Sequence, residues 1–342
     1  MDQFAAFSKP GNFYKGNIHL HSTNSDGRLT PTEVIDAYKS RGYDFVSLTD
    51  HFLPRAYFKK PGGGFITVTD TTNLRSDDFT TILGAEIHGP GQSNGTNWHI
   101  VAVGLPADFA EWDGVETGAA IAERALNAGA FVSMAHPAAS GLTIADADQV
   151  LPFIHSVEVY NHGSKIVGAP ESWHYTDTLL RNGARFTANA TDDAHLVTAG
   201  GLIQDAFGGW IQVRAESLDP DLLLAALKAG EFYSSMGPEI HDVAVEGDDL
   251  VIRCSPVLSV LIAGKGGFQW KFADGKKIHD VWIQDAEVDV AADEAAAPSN
   301  GEEVLITEVR FPYAQIQKME YGRITIVDRD GKYAWSNPFW FD

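Results

Sequence analysis

One cysteine, Cys254, stands among 342 residues, so no intrachain disulfide can form, and a reducing, cytoplasmic setting is expected. Residues Met1 to Lys15 lack a long apolar core and a cleavage site of small residues, so no signal peptide is expected there. No apolar run approaches the roughly 20 residues needed to span a bilayer, and no membrane partner is expected. Basic residues are scarce as well: 25 Lys and Arg stand against 46 Asp and Glu, for a formal charge of −21. That surplus repels polyanions and argues against a nucleic acid polymer as partner. A small anionic substrate stays compatible if divalent cations sit in its pocket and invert the local field. What is present is ordinary globular material. The chain is 44% hydrophobic and 11% aromatic, enough to fill the core of one large domain or two smaller ones.

From about residue 16 to 235, short apolar runs alternate with helical patterns. Strands are predicted at Asn17–Leu20, Phe45–Leu48, Thr81–Ala85, His99–Val103, Phe131–Met134, Val157–Tyr160, Arg185–Ala188 and Trp210–Val213. The clearest helix opens at Thr30-Pro31-Thr32-Glu33. Thr30 serves as N-cap, Pro31 takes the first turn, Glu33 completes a capping box, and Val34, Ile35 and Tyr38 share one face. Thr117–Ala128 closes at Gly129 and Asp219–Ala229 at Gly230. Such repeated units favour a parallel sheet or an α/β barrel. After about residue 237 the texture changes to short β-branched runs broken by Gly247-Asp248, Asp274-Gly275 and Asp328 to Gly331. This predicts a small antiparallel β domain, sandwich-like, with Asp289–Glu302 as a long loop. The expected division is 1–238 and 239–342.

Chemistry-bearing residues recur where predicted strands begin or end. His19 and His21 are two apart on a predicted strand and so project to one side, a ready half-set of metal ligands, with Asp26 following in a Ser-Asp-Gly turn. Ordinary surface histidines are the alternative for that pair alone. An apolar run then ends in Thr49-Asp50-His51, another ends in Glu86, His99 opens a third, His136 follows a fourth, and Asp193 and His195 repeat the two-apart spacing. A single strand-end histidine is more often a hydrogen-bonded structural residue. Six such elements in separate strand–helix units would converge on one rim of a barrel.

The order H-x-H, D-G, T-D-H, E, H, H-P, D-x-H resembles the polymerase and histidinol phosphatase (PHP) superfamily, over Gly16 to Pro238. Gly230-Glu231-Phe232-Tyr233-Ser234-Ser235 and Trp335-Ser336-Asn337-Pro338 resemble bacterial members with an added C-terminal β domain. The resemblance implies an α/β fold, a distorted (β/α)7 TIM-like barrel holding two or three divalent ions (Zn, Mn or Fe). It implies a first ion on His19, His21, Glu86 and Asp193, a second sharing Glu86 with His99 and His136, and a third on Asp26, His51 and His195. Many relatives carry His where this chain has Asp26. That harder ligand favours manganese or iron at the third position. Asp192 is the rival to Asp193 and fits an outer, supporting place.

The implied reaction is hydrolysis of a small phosphomonoester or phosphodiester, nucleotide-like among the candidates, by a metal-bridging hydroxide, with Glu86, Asp193 and His195 at the chemistry. Arg28, Arg55, Lys59, Lys60 and Lys165 are candidate phosphate contacts, though any one of them alone reads more readily as solvated surface charge. Gly62-Gly63-Gly64 is expected as a flap rather than a P-loop, since no Gly-Lys-Ser/Thr follows it. Tyr160, Asn161 and His162 are candidate substrate contacts, with His162 a spare acid. His88, His155, His174, His241 and His279 fit no motif and are expected to be structural or on the surface. An amidohydrolase- or lactonase-type reaction on the same metals, or a non-catalytic binding protein, are the competing readings.

Overall fold

The computed structural model describes residues 4–53, 68–111, 115–199, 202–265, 267–273, 278–280 and 305–341. Arg55, Lys59, Lys60, the Gly62–Gly64 run, Asp274-Gly275 and the expected loop at 289–302 lie outside them. The chain forms two compact units. One is Pro10–Lys228. The other joins Met1–Lys9 to Ala229–Asp342, so the observed division differs from 238/239 at both ends of the first segment.

In the Pro10–Lys228 unit the strands of the two main rows are β1 (Asn12–Asn17), β2 (Phe45–Val46), β3 (His51–Phe52), β4 (Thr80–Thr81), β5 (Gly84–Gly89), β6 (Trp98–Val103), β7 (Phe131–Met134), β8 (Ser156–Asn161), β9 (Thr187–Thr191) and β10 (Trp210–Ala215). Strands β10, β1, β2 and β4 form one row, with β1, β2 and β4 parallel. The order β3-β5-β6-β7-β8-β9 forms a second, parallel at β3–β5, β7–β8 and β8–β9. Strand β6 runs against both of its neighbours, a departure from the all-parallel expectation. The reason is the connection: only residues 90–97 join β5 to β6, too short for the crossover a parallel pair requires. Backbone bonds link the rows at their site-bearing ends. His21 N donates to Ala194 O at 2.9 Å, Thr49 N to Leu20 O at 2.8 Å, and Glu86 N to Thr49 O at 3.1 Å.

The helix α1 (Pro31–Lys39) starts as predicted. Glu33 N donates to Thr30 Oγ1, and Thr30 N to the Glu33 carboxylate at 2.8 Å. Its buried face, Val34, Ile35 and Tyr38, packs with Leu20, Val46, Leu48, Phe79, Ala194 and Leu196. Each such aliphatic side chain contributes about 1.5–3 kcal/mol on burial. This core lies directly behind the segments that carry the candidate ligands. The helix α2 (Gly118–Asn127) is capped by Thr117, whose hydroxyl accepts from Ala120 N.

The second unit holds two antiparallel sheets among its described residues. One pairs Ile240–Glu246, Asp249–Val257 and Ile306–Pro312. The other includes Ser259–Gly264, Gly267–Ala273, Tyr321–Val327, Tyr333–Ser336 and Phe232–Ser235. The two motifs Gly230–Ser235 and Trp335–Pro338 meet here. Ser234 pairs with Trp335, and Asn337 Nδ2 donates to the carbonyls of Gly230 and Phe232 at 3.0 and 2.8 Å. No described helix is long and apolar enough to cross a membrane.

Candidate metal centre

Strand β1 ends at Asn17, so His19 and His21 lie just beyond the strand rather than on it. Asn17 Oδ1 accepts from His19 N, and its Nδ2 donates to Asp192 Oδ2 and Gly209 O, each at 2.8 Å. Leu20, buried between the two histidines, donates its N–H to Thr49 Oγ1 at 3.0 Å and bridges Ala194. Chain alternation then turns both imidazoles to the same side. Each residue of Thr49-Asp50-His51 has its own task. Thr49 anchors Leu20. Asp50, fully buried, accepts from Ser22 N, Ser22 Oγ, Ser25 Oγ and Thr69 Oγ1, each at 2.7 Å, and so folds the turn bearing Asp26. His51 stands opposite Glu86 in the β3–β5 register, and His99 opposite His88 in β5–β6.

Glu86 is buried at the middle of six imidazoles. Its Oε1 lies 2.7 Å from His99 Nδ1, 3.3 Å from His136 Nε2 and 3.6 Å from His19 Nε2. Its Oε2 meets His51 Nδ1 closely, with His88 Nε2 at 3.3 Å and His21 Nε2 at 3.6 Å. Asp193 Oδ1 lies 3.0 Å from His21 Nε2 and 3.3 Å from His19 Nε2. Asp26 Oδ1 lies 3.2 Å from His195 Nε2 and 3.4 Å from His51 Nε2. His136 and Asp193 have φ of 27° and 53°, values L side chains rarely adopt, costing on the order of 1–3 kcal/mol each. Such strain gathers where surrounding contacts overrule local preference.

The charges are tightly interdependent. Burial alone would push the Glu86 carboxyl up. The histidines around it, His51 first, hold it well below the usual carboxylate range. Asp193 is held low against burial in the same way, chiefly by His19. Burial opposes protonation of His51, but Glu86 and Asp26 prevail and push it up to about 10. His21 is driven down to about 4, by burial and then by His51, and His88 down to about 3, by burial and then by His99. The cluster therefore holds both charged and neutral imidazoles around two carboxylates.

The same atoms suit divalent cations. His19 Nε2, His21 Nδ1 and Asp26 Oδ1 are buried and make no hydrogen bond, a costly condition for lone protein atoms. Imidazole nitrogens mixed with carboxylate oxygens form a donor set used for zinc, manganese and iron. Ligand-type atoms lie within 4.8 Å of one another in the groups His19–His21–Glu86, His19–His136–Asp193, Glu86–His99–His136 and His21–Asp26–His51–His195. A fifth group is His51–Glu86–His88. All nine motif residues are thus in one place.

Three further residues of the site are not among the nine candidate ligands. His88, expected to be structural or on the surface, is buried with its Nε2 2.8 Å from His51 Nδ1. Its i+2 spacing from Glu86 on a strand was the available signal. Asp50 was visible only as part of its tripeptide. Glu158, inside an apolar strand, had no signal beyond being an acid where an apolar residue is the norm. Asp192 contacts none of the candidate ligands' side chains. It accepts from Asn17 Nδ2, Tyr38 OH and the backbone of Phe207, Gly208 and Gly209.

Arg28 and Lys165 are exposed, and Arg28 N donates to His195 O at 2.9 Å, which sets it beside the centre. Asn161 Nδ2 donates to Asp193 Oδ2 at 3.2 Å. Tyr160 OH and His162 Nδ1 share a hydrogen bond at 2.9 Å. Burial, then Lys165, drives the His162 imidazole down to about 4, so near neutral pH it lacks the second proton a spare acid would give.

No family model matches the chain. A stretch of 35 residues is 54% identical to a 3',5'-nucleoside bisphosphate phosphatase of Chromobacterium violaceum, covering 10% of this chain and 12% of that protein. A two-domain protein from Bacteroides vulgatus, containing a predicted PHP-like metal-dependent phosphoesterase, aligns over 97% of this chain and 89% of its own, at 14% identity and a TM-score of 0.49. An amidohydrolase from Chromobacterium violaceum with bound sulfate aligns over 56% of this chain and 90% of its own, at 16% identity and a TM-score of 0.38. At TM-scores below 0.5 these structural likenesses decide no activity.

Proposed function

We propose that this chain is a PHP-type metal-dependent hydrolase that cleaves a small phosphoester. The observation that carries the reading is the convergence of His19, His21, Asp26, His51, Glu86, His99, His136, Asp193 and His195, with buried donor atoms left without hydrogen bonds. The hydrolase part is the Pro10–Lys228 unit, and the later chain adds a sandwich-like β part. A distorted (β/α)7 barrel is supported by the backbone bonds joining Ala194 to His21, Leu20 to Thr49, and Thr49 to Glu86. Two or three ions of zinc, manganese or iron, and a cytoplasmic setting in keeping with the single cysteine, belong to the same proposal.

Bound divalent ions supply positive charge to phosphoryl oxygens and acidify a water for attack. The chain's residues do the rest. Glu86, buried, and Asp193, half-buried, would offer carboxylate oxygens to the ions. His19, His21, His99 and His136 would hold those ions with them. His195 and His51, each near Asp26, would hold the third position. Arg28, whose backbone N–H donates to His195 O, and Lys165 are the described candidates to meet the substrate's phosphate, with Arg55 and Lys59 completing that proposal. The 54% identity of the 35-residue stretch makes a nucleoside bisphosphate a first substrate to test.

The test is hydrolysis of phosphomonoesters, phosphodiesters and a nucleoside 3',5'-bisphosphate by protein stripped of metal and reloaded with Mn2+, Zn2+ or Fe2+. Metal-dependent turnover lost in His51→Ala and Asp193→Ala supports the reading. Bound metal without turnover of any phosphoester, and turnover of amides or lactones instead, overturns it.

A further inference from the structure

Glu158 lies on β8, sealed from solvent. Its Oε1 accepts from Thr191 Oγ1 at 2.7 Å and faces His19 Nδ1 at 2.7 Å. Its Oε2 accepts from the backbone N–H of His136 at 2.9 Å and from Asn161 Nδ2 at 3.0 Å. A buried carboxylate is tolerated only when its oxygens are met by donors, and here the donors come from four separate segments. An ionised carboxylate only accepts hydrogen bonds, so His19 must carry its proton on Nδ1. In the neutral imidazole, Nε2 then keeps the lone pair an ion needs. That atom is buried, makes no hydrogen bond, and faces Asp193 Oδ1 at 3.3 Å and Glu86 Oε1 at 3.6 Å. The same carboxylate holds the backbone of His136 in its unusual conformation, with φ at 27°. Through Asn161 Nδ2, which also reaches Asp193 Oδ2, it reaches the third member of the group His19–His136–Asp193.

We propose that Glu158 is a positioning residue of the metal centre. It sets the tautomer of His19 so that Nε2 is presented to the ion, and it aligns His136 and Asp193 toward that ion. This rests on the metal-binding part of the proposed function and not on its substrate.

The experiment is calorimetric titration of the metal-stripped full chain with Zn2+, comparing wild type with Glu158→Gln. The histidine 15N spectrum of the Zn2+-loaded wild type is recorded alongside, with His19 assigned through His19→Gln. Zn2+ affinity should fall about 10–100-fold in Glu158→Gln while circular dichroism of the stripped protein is retained. In the wild type, His19 should be protonated at Nδ1 and metal-bound at Nε2. A folded Glu158→Gln that binds Zn2+ within about threefold of wild type overturns the inference, as does a wild-type His19 protonated at Nε2. If Glu158→Gln does not fold, the wild-type spectrum decides alone. Wild-type protein that binds none of Zn2+, Mn2+ and Fe2+ in the same titration removes both this inference and the proposed function. Zn2+ binding with the expected His19 spectrum but no phosphoester turnover removes only the proposed function.

Discussion

At Glu86, burial favours the protonated acid and six imidazoles favour the carboxylate, and the imidazoles win. Replacing it by Gln keeps the volume but removes the charge that holds the groups together. If the residue anchors ions at the reaction, the loss is several kcal/mol of charge stabilisation, or about 10³-fold in kcat/KM. Steady-state kinetics of Glu86→Gln on the best substrate of the panel checks this, and a loss below tenfold would remove Glu86 from the chemistry. His162 allows a separate test. Its pKa falls from the ordinary 6.5 to about 4 on folding, so the unfolded chain binds the proton first as the solution is acidified. Its contribution is therefore fully present above about pH 6.5 and is lost as the pH falls toward about 4. Urea unfolding at pH 7 and pH 5 should show a smaller acid loss in His162→Gln than in wild type. An equal loss would mean the imidazole titrates normally.

At the scale of elements, the turn carrying Asp26 depends on Asp50 from the next motif. Four hydrogen bonds at 2.7 Å converge on that buried carboxylate. Asp50→Ala leaves their donors unmet, at about 1–3 kcal/mol each at most, and frees the turn. The expected result is a lowered melting temperature together with loss of the ion bound through Asp26, measured as metal stoichiometry. Asp26→Ala should lose the ion with little change in the melting of metal-stripped protein, which separates position from stability. The helix α1 offers a control far from chemistry. Thr30→Ala removes a capping box and should cost about 1 kcal/mol by urea denaturation while leaving metal content unchanged.

At the scale of the whole molecule, the proposed function requires a chain of −21 formal charge to admit an anion through bound cations. Metal bound only by the folded state stabilises it, by about 2.7 kcal/mol per site at a free concentration 100 times Kd. Chelation should therefore lower the melting temperature, and re-addition of metal should restore it. The His51 imidazole, pushed up to about 10 by Glu86 and Asp26 against burial, means that metal must displace protons at neutral pH, and His136 and His195 are raised in the same direction. The binding enthalpy should accordingly depend on the buffer's ionisation enthalpy. Identical enthalpies in phosphate-free buffers of different ionisation enthalpy would show that these imidazoles are already neutral.

The sequence by itself determined the local order. Helix caps at Thr30 and Thr117 are set by residues within a few positions of each other, so they were legible. So was the candidate site, because its donors are residue types rare in strand ends and spaced in recognisable pairs. Only the tertiary structure decided what long-range contacts decide. It ended β1 at Asn17, because the backbone beyond it pairs with Thr49 and Ala194. It reversed β6, because the connection before it is short. It brought His88 against His51, and it placed Glu158 beneath His19 across a separation of 139 residues. A buried acid in an apolar strand has no local reason to be there. The reason lies in the imidazole it holds, and folding alone sets the two side by side.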